Sequence, residues 1–350
     1  MDTKKHHCVT LTGLALVAFF AAASTADAQG SLDRIKRRNG TESGKITNIS
    51  ALEVTISKGG VQSKVPVEEI RGIYFAGEPT KLNAARLAAA AGHYQDALNA
   101  LAKIDRGKVD RDEVLQDLDY LVMFCQANRA LAGQEDLDQA TQQVSGFLAQ
   151  HRSSYHVPRA IELLGDLLVA GGKYDLARKQ YAKLGKAPSA YYQARSAFLI
   201  GRALEEKGQH AAAMAEFDRA LKLAAGNAAA QTLQLEITLQ RAESQAATGQ
   251  VEEATAAIKK IITQADAEDA PLLARAYNAL GDCYLQTKDK QAARDAFLHV
   301  DLLFNSASTA HAKALYELSR LWSELGHPER AREAQQRLRN QYPESRWANR

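Results

Sequence analysis

The sequence predicts a mainly α-helical solenoid of about seven helix pairs, preceded by a small all-β domain. Three observations carry that reading. A glycine recurs with an alanine five residues behind it: Gly92 with Ala97, Gly172 with Ala177, Gly208 with Ala213, Gly249 with Ala254 and Gly326 with Ala331. Two imperfect copies, Gly133 with Ala140 and Lys288 with Ala293, complete a series spaced 41, 39, 36, 41, 39 and 38 residues apart. A fixed period in this range marks stacked supersecondary units. Residues 29–77 follow a different rule, the two-residue alternation of half-buried strands. The composition, 46% hydrophobic and 24% charged with only 7 prolines, belongs to a chain that folds and is rich in helix. At 350 residues a single core would be crowded, whereas a solenoid grows by adding units.

Residues 1–28 read as an export signal. Lys4 and Lys5 give a positive start, Cys8 to Ala23 form a mostly apolar run, and Ala26-Asp27-Ala28 is a small-x-small cleavage site releasing Gln29. The alternative is a membrane anchor, but a spanning helix needs about 20 apolar residues. This run is shorter and carries Thr10 and Thr12. Net charge is +3 from 44 basic and 41 acidic residues, which gives no push toward nucleic acid or an anionic membrane.

In the β segment, Leu52, Val54 and Ile56 alternate with Glu53, Thr55 and Ser57, and Gly59-Gly60 follows as a hairpin signal. Strands are expected at 34–38, 43–49, 52–58, 61–66 and 71–75, with Pro66 at a strand edge or end. So short a module is marginal alone and is expected to lean on the first helix pair.

From Pro79 onward, residues 78–350, the pattern is helical. In the unit from Ala194, Gly201 is the small residue at a helix crossing and Gly208 breaks the chain between helices. Ala213, Phe217 and Ala220 then form the inner face of the second helix. The Ala274 unit repeats this with Leu280, Gly281, Tyr284, Ala293, Phe297 and Val300. The Pro158 unit does so with Leu164, Gly165, Leu168, Gly172, Ala177 and Tyr181. The last unit has Leu318, Ser319, Trp322, Gly326, Ala331 and Pro343. A small residue lets two helices of a pair approach closely, and large ones such as Phe217, Tyr284, Phe297 and Trp322 are expected to fill gaps between units. These positions resemble the tetratricopeptide repeat over about 270 residues. The β segment resembles a small open barrel of the SH3-like or Sm-like kind. The repeat spacing exceeds the 34 residues usual for this family, so longer helices or longer connections are expected.

Catalytic signatures are scarce, and an enzyme, a cofactor site or a metal site is not expected. Gly40 to Lys45 is one residue short of a phosphate loop and lacks its Ser or Thr. Glu205-Glu206 and Glu252-Glu253 read as exposed solubilising charges, and His151 and His156 as solvated. Cys125 and Cys283 lie four units apart. At roughly 8–10 Å per packed helix that is far beyond disulfide reach, so they read as buried thiols. Arg34, Lys36, Arg37 and Arg38 form a basic cluster, read either as an RNA-binding edge or as a charged, exposed edge strand. It lacks an aromatic stacking pair.

The tetratricopeptide resemblance implies that the first helix of each pair lines a concave groove that takes extended peptides or partner helices. By register, the partner-binding groove would include Arg159, Arg195, Phe198, Arg202, Arg275, Asn278, Tyr316 and Arg320. One row, Arg159, Arg195, Glu236, Arg275 and Lys313, is mostly basic, which favours an acidic or carboxylate-ended ligand. The turn Tyr342-Pro343-Glu344-Ser345 resembles one found in bacterial envelope proteins of this family, and Trp347 would start a capping helix. The expected role is a non-enzymatic exported scaffold, periplasmic or secreted, that binds a protein or peptide partner. The alternatives are a self-associating envelope protein and a nucleic-acid binder through the β segment.

Overall fold

The computed structural model describes residues 32–343 and 345–348. The expected leader and Glu344 lie outside the described residues. Five strands come first: β1 (Asp33–Arg37), β2 (Thr41–Ile49), β3 (Glu53–Lys58), β4 (Val61–Pro66) and β5 (Ile70–Tyr74). They form one antiparallel sheet in the order β4-β3-β2-β1-β5. The sheet folds over at β2, whose first half pairs with β1 (Asp33 opposite Gly44) and whose second half pairs with β3 (Lys45 opposite Ser57). Gly44 sits at that fold because a Cβ there would lie 2.5 Å from the Ser57 carbonyl oxygen. A bulge between Ile46 and Asn48 adds to the bend. No ladder joins β4 to β5, so the sheet stays open, with Ile35, Ile46, Val54, Ile56, Val65, Ile73 and Phe75 buried within it. Pro66 ends the edge strand β4, where its missing N–H costs little. The basic cluster is not on an edge, because β1 is hydrogen-bonded on both sides.

Seven helix pairs follow: α1 (Thr80–Ala90) with α2 (Tyr94–Leu101), α3 (Asp112–Leu131) with α4 (Leu137–Gln150), α5 (Val157–Ala170) with α6 (Tyr174–Leu184), and α7 (Ala190–Glu206) with α8 (His210–Ala224). The last three are α9 (Gln231–Ala247) with α10 (Val251–Gln264), α11 (Ala270–Gln286) with α12 (Lys290–Leu303), and α13 (Ser308–Glu324) with α14 (Pro328–Gln341). The surplus over the usual repeat is mostly in the helices: α7, α9, α11 and α13 each run 17 residues.

One contact recurs in the clearest pairs. The ring of Tyr181 lies against Gly165, that of Phe217 against Gly201, and that of Phe297 against Gly281. A Cβ added at Gly201 would stand 2.5 Å from the Phe217 ring, and one at Gly281 would stand 2.6 Å from the Phe297 ring. Both distances are well inside van der Waals contact. These rings therefore pack across the glycine of their own pair, not only between units. Where the first-helix residue is alanine, as at Ala85 and Ala242, the residue sixteen further on is Leu101 or Ile258, without a ring.

The glycine between helices has its own cause. At Gly208, φ is +78°, and Gln209 N–H donates to the Leu204 carbonyl across the turn (2.8 Å). This left-handed closure satisfies carbonyls that the helix end would leave unpaired. In the sixth pair Lys288 takes the position with φ +63°, and Asp289 N–H donates to the Tyr284 carbonyl (2.9 Å). The turn survives there without glycine because the hydrogen bond is kept. At the C-terminus, residues 345–348 form a turn and not the expected capping helix. Trp347 is nonetheless buried, its ring 5.3 Å from that of Tyr316, and so covers the last pair.

Two outcomes test this packing. Gly201→Ala should destabilise the chain by about 1–3 kcal/mol in urea unfolding, with much of the loss recovered when Phe217→Leu is added. Lys288→Gly should raise stability by about 1 kcal/mol, since it relieves a left-handed backbone on a branched-Cβ-free but chiral residue. A thermal melt unchanged or lowered by Lys288→Gly would contradict that account.

Candidate partner-binding groove

Neighbouring first helices (α1, α3, α5, α7, α9, α11, α13) touch one another more closely than neighbouring second helices do. The array therefore curves with the first helices inside, and their exposed side chains form the concave wall.

A ladder of ion pairs runs along that wall. Arg195 donates through Nε and Nη2 to both oxygens of Glu162 (3.0 and 2.8 Å), and through Nη1 to Glu236 (3.0 Å). Arg159 adds a second cation to Glu162 (2.9 Å). Arg275 donates to Gln240 (3.2 Å) and Glu243 (3.0 Å), and Lys313 pairs with Asp282. Arg320 reaches Glu317 at 3.4 Å and lies over the Tyr316 ring. Each cross-unit pair thus joins adjacent first helices, and the mostly basic row is matched by carboxylates of its neighbours.

The remaining groove candidates fall into two sets. Arg202 is exposed on the wall and Tyr316 half-exposed. Phe198 is only 2% exposed, packed with Phe217 beneath the Arg195 guanidinium. Asn278 is 4% exposed and donates to the Ala310 carbonyl (2.9 Å), tying α11 to α13.

Nearer the N-terminus the wall is closed by a cluster that the sequence reading missed. Asp117 on α3 is buried and accepts from Arg86 (2.6 Å), Tyr155 (2.9 Å) and His156 (2.8 Å). His156 is therefore not solvated: it stacks on Tyr120 at 3.6 Å between ring centroids. His151 is likewise only 18% exposed and lies 3.2 Å from Asp119. Glu205 is not a solubilising charge either. It accepts from Gln240 of the next unit (2.9 Å) and from Ser244, while Glu206, Glu252 and Glu253 are exposed.

The sheet lies against the N-terminal ends of the first helices, and its reach exceeds the first helix pair. Asp33 accepts from Arg111 at the start of α3 (2.6 Å), Ser189 before α7 donates to Glu68 (2.6 Å), and Arg38 donates to Thr232 in α9 (2.7 Å). The basic cluster is engaged internally: Arg37 pairs with Glu42 and Glu69, and Arg34 lies over the Tyr74 ring.

The electrostatics differ along the wall. Burial alone would push the Asp117 carboxyl up, but His156 and Arg86 together hold it below the ordinary carboxylate range. Glu162 behaves alike, with burial outweighed by Arg195 and Arg159. At Glu243 burial wins over Arg275 and Lys313, and at Asp282 it wins over Lys313, raising both carboxyls. Burial also pushes the Cys125 thiol up to about 11, and Cys283 is raised for the same cause; both are free and buried. Among the described residues, no group of three or more His, Cys, Asp or Glu is placed to hold a metal. No helix among them is long and apolar enough to cross a membrane.

A tetratricopeptide repeat family model matches residues 127–191, 163–228 and 239–300, and a second one matches 313–345. The chain belongs to the tetratricopeptide repeat family. Among solved structures it is similar to a Rap protein complexed with competence and sporulation factor, at 15% identity, covering 76% of each chain with a TM-score of 0.50. It is also similar to the apo quorum sensor NprR from B. thuringiensis (18% identity, 77% of each chain, TM-score 0.48). A tetratricopeptide repeat protein from Parabacteroides merdae ATCC 43184 gives 15% identity and a TM-score of 0.48, covering 74% of this chain and 91% of that one. No curated protein matches the sequence.

The ladder gives a pH signature. Asp117 and Glu162 have lowered native pKa values, so their stabilisation is present above the unfolded carboxylate value near ~4 and is lost as pH falls through the native values. The thermal midpoint should fall more steeply below about pH 4 in the wild type than in an Asp117→Asn, Glu162→Gln double variant. Equal slopes in that range would mean the two carboxylates carry no such linkage.

Proposed function

We propose that this chain is a non-enzymatic scaffold that binds a protein or peptide partner along its concave wall, after export to the bacterial cell envelope. The observation that carries the binding reading is the wall itself. Seven first helices align in one curved surface, and its polar side chains stay accessible at positions such as Arg202, Tyr316 and Arg320. A curved, continuous helical surface of this kind suits an extended segment or an amphipathic helix. The Rap protein complexed with competence and sporulation factor shares the fold and is held with another molecule, which is in keeping with such a use. The polar clusters in the wall are engaged in joining helices, which supports a binding role over a catalytic one. Export rests on the positive start, apolar run and small-x-small site of residues 1–28.

A photo-crosslinking residue placed at Arg202 or Arg320 in the native cell should capture a second polypeptide, while one placed at exposed Lys183 on a second helix should not. Equal capture from both faces, or none from the wall, would argue against the groove. Fractionation of the same cells should find a chain beginning at Gln29 outside the cytoplasm, and an intact leader retained inside would remove the export reading.

A further inference from the structure

The sheet is held to the helical array very unequally on its two sides. On the side of α1 and α3 the attachment is buried and multiple. The Asp33 carboxylate, 2% exposed, accepts from the Ile46 and Ala76 N–H groups (both 2.8 Å) and from Arg111 (2.6 Å). The Arg111 guanidinium lies 4.9 Å from the centre of the buried Phe75 ring. Glu78, at the chain's exit from the sheet, accepts from Phe75 N–H (3.0 Å) and pairs with Arg86, which also holds buried Asp117.

On the side of α7 and α9, among the described residues, two polar side-chain contacts bridge the gap. They are Ser189 Oγ donating to Glu68 Oε1 (2.6 Å) and Arg38 Nη1 donating to Thr232 Oγ1 (2.7 Å). Each joins a charged group to a neutral hydroxyl, all four residues are half-buried, and among the described residues no ion pair crosses this side. Two tyrosines stand at the start of α7, directly after Ser189: half-buried Tyr191, within electrostatic reach of Arg38, and Tyr192, within reach of Glu68 and 4% exposed.

We infer that the N-terminal sheet is a lid over the start of α7 and α9, pivoting on the Asp33–Arg111 side and latched by Glu68 and Arg38. Hydrogen bonds reachable by water exchange readily for bonds to solvent, so the latch is the weaker attachment. Its opening uncovers Tyr191, Tyr192 and the first turns of α7 and α9, a strip at the mouth of the groove where two aromatic rings meet open helix N-termini. The closed state withholds that strip from any partner, while the wall at α11 and α13 stays open in both states. The inference concerns the motion of the chain itself and stands or falls independently of whether a partner binds.

The test is a distance measurement between spin labels at two exposed positions, Lys64 on β4 and Lys222 on α8, in a full chain with Cys8, Cys125 and Cys283 replaced by alanine. With the latch intact, one short distance should dominate. Arg38→Ala with Glu68→Ala should raise the population of a second, longer distance about tenfold or more, with the helical circular dichroism unchanged. Glu68→Gln with Arg38 intact should restore the single distance, because its amide oxygen can still accept from Ser189. A double variant that keeps the single distance would overturn the lid, showing the sheet fixed by its pivot side alone. A wild-type latch that already gives the long distance would overturn it as well.

Discussion

The structure depends on an aromatic ring pressed against a helix with no side chain at the point of contact. Gly165, Gly201 and Gly281 let Tyr181, Phe217 and Phe297 lie so close to the opposite backbone that not even a methyl group fits between. That sets the distance between the two helices of a pair. The separation in turn fixes how far each unit is rotated from the next, since all later contacts are made from these two rods. The pairs built on Ala85 and Ala242 meet Leu101 and Ile258 instead. Five of the seven pairs are thus of two kinds, three closed by a ring and two by an aliphatic chain.

A second level of order is electrostatic and lies between units. Asp117 gathers Arg86, Tyr155 and His156, Glu162 gathers Arg159 and Arg195, and the wall there acts as a seam joining α1, α3, α5 and α7. Such buried pairs add little net stability over apolar packing, but removing one partner is costly, so they fix which helix sits beside which. Farther along, Glu243 is hydrogen-bonded by Arg275 alone and Asp282 is paired with Lys313 alone, so each makes fewer direct charged contacts. The half of the groove beside the sheet is thereby the more heavily cross-linked by its own side chains.

The repeat was legible because its causes are local. A left-handed turn wants glycine, a close crossing wants glycine or alanine, and both recur at a fixed period. The five strands were legible too, since alternation and Gly59-Gly60 are short-range signals, and each boundary fell within two residues of the strand observed. What escaped were interactions whose partners lie a full period or more away. Glu162 and Arg195 are 33 residues apart, and Asp282 and Lys313 are 31 apart. A search for opposite charges about one repeat apart would have found them. His156 read as solvated because nothing near it in the chain shows that Asp117, 39 residues earlier, lies within hydrogen-bond reach of its ring. Nor could any pattern bring Arg38 to Thr232, 194 residues on. That contact follows from the accumulated curvature of five units, a property of the whole stack. The same holds for Phe198: register placed it in a groove row, but its ring is buried against Phe217.

The two thiols in the helical array, Cys125 and Cys283, are buried, and their burial has a chemical outcome. A sulfur whose proton is held this firmly presents almost no thiolate at neutral pH, and only the thiolate attacks disulfides, peroxides or alkylating agents at an appreciable rate. With the units between them acting as a rigid spacer, Cys125 and Cys283 cannot find each other either. Burial and a raised thiol pKa both slow attack at these positions in the folded array, so fast labelling of either sulfur would report that the surrounding helices had come apart.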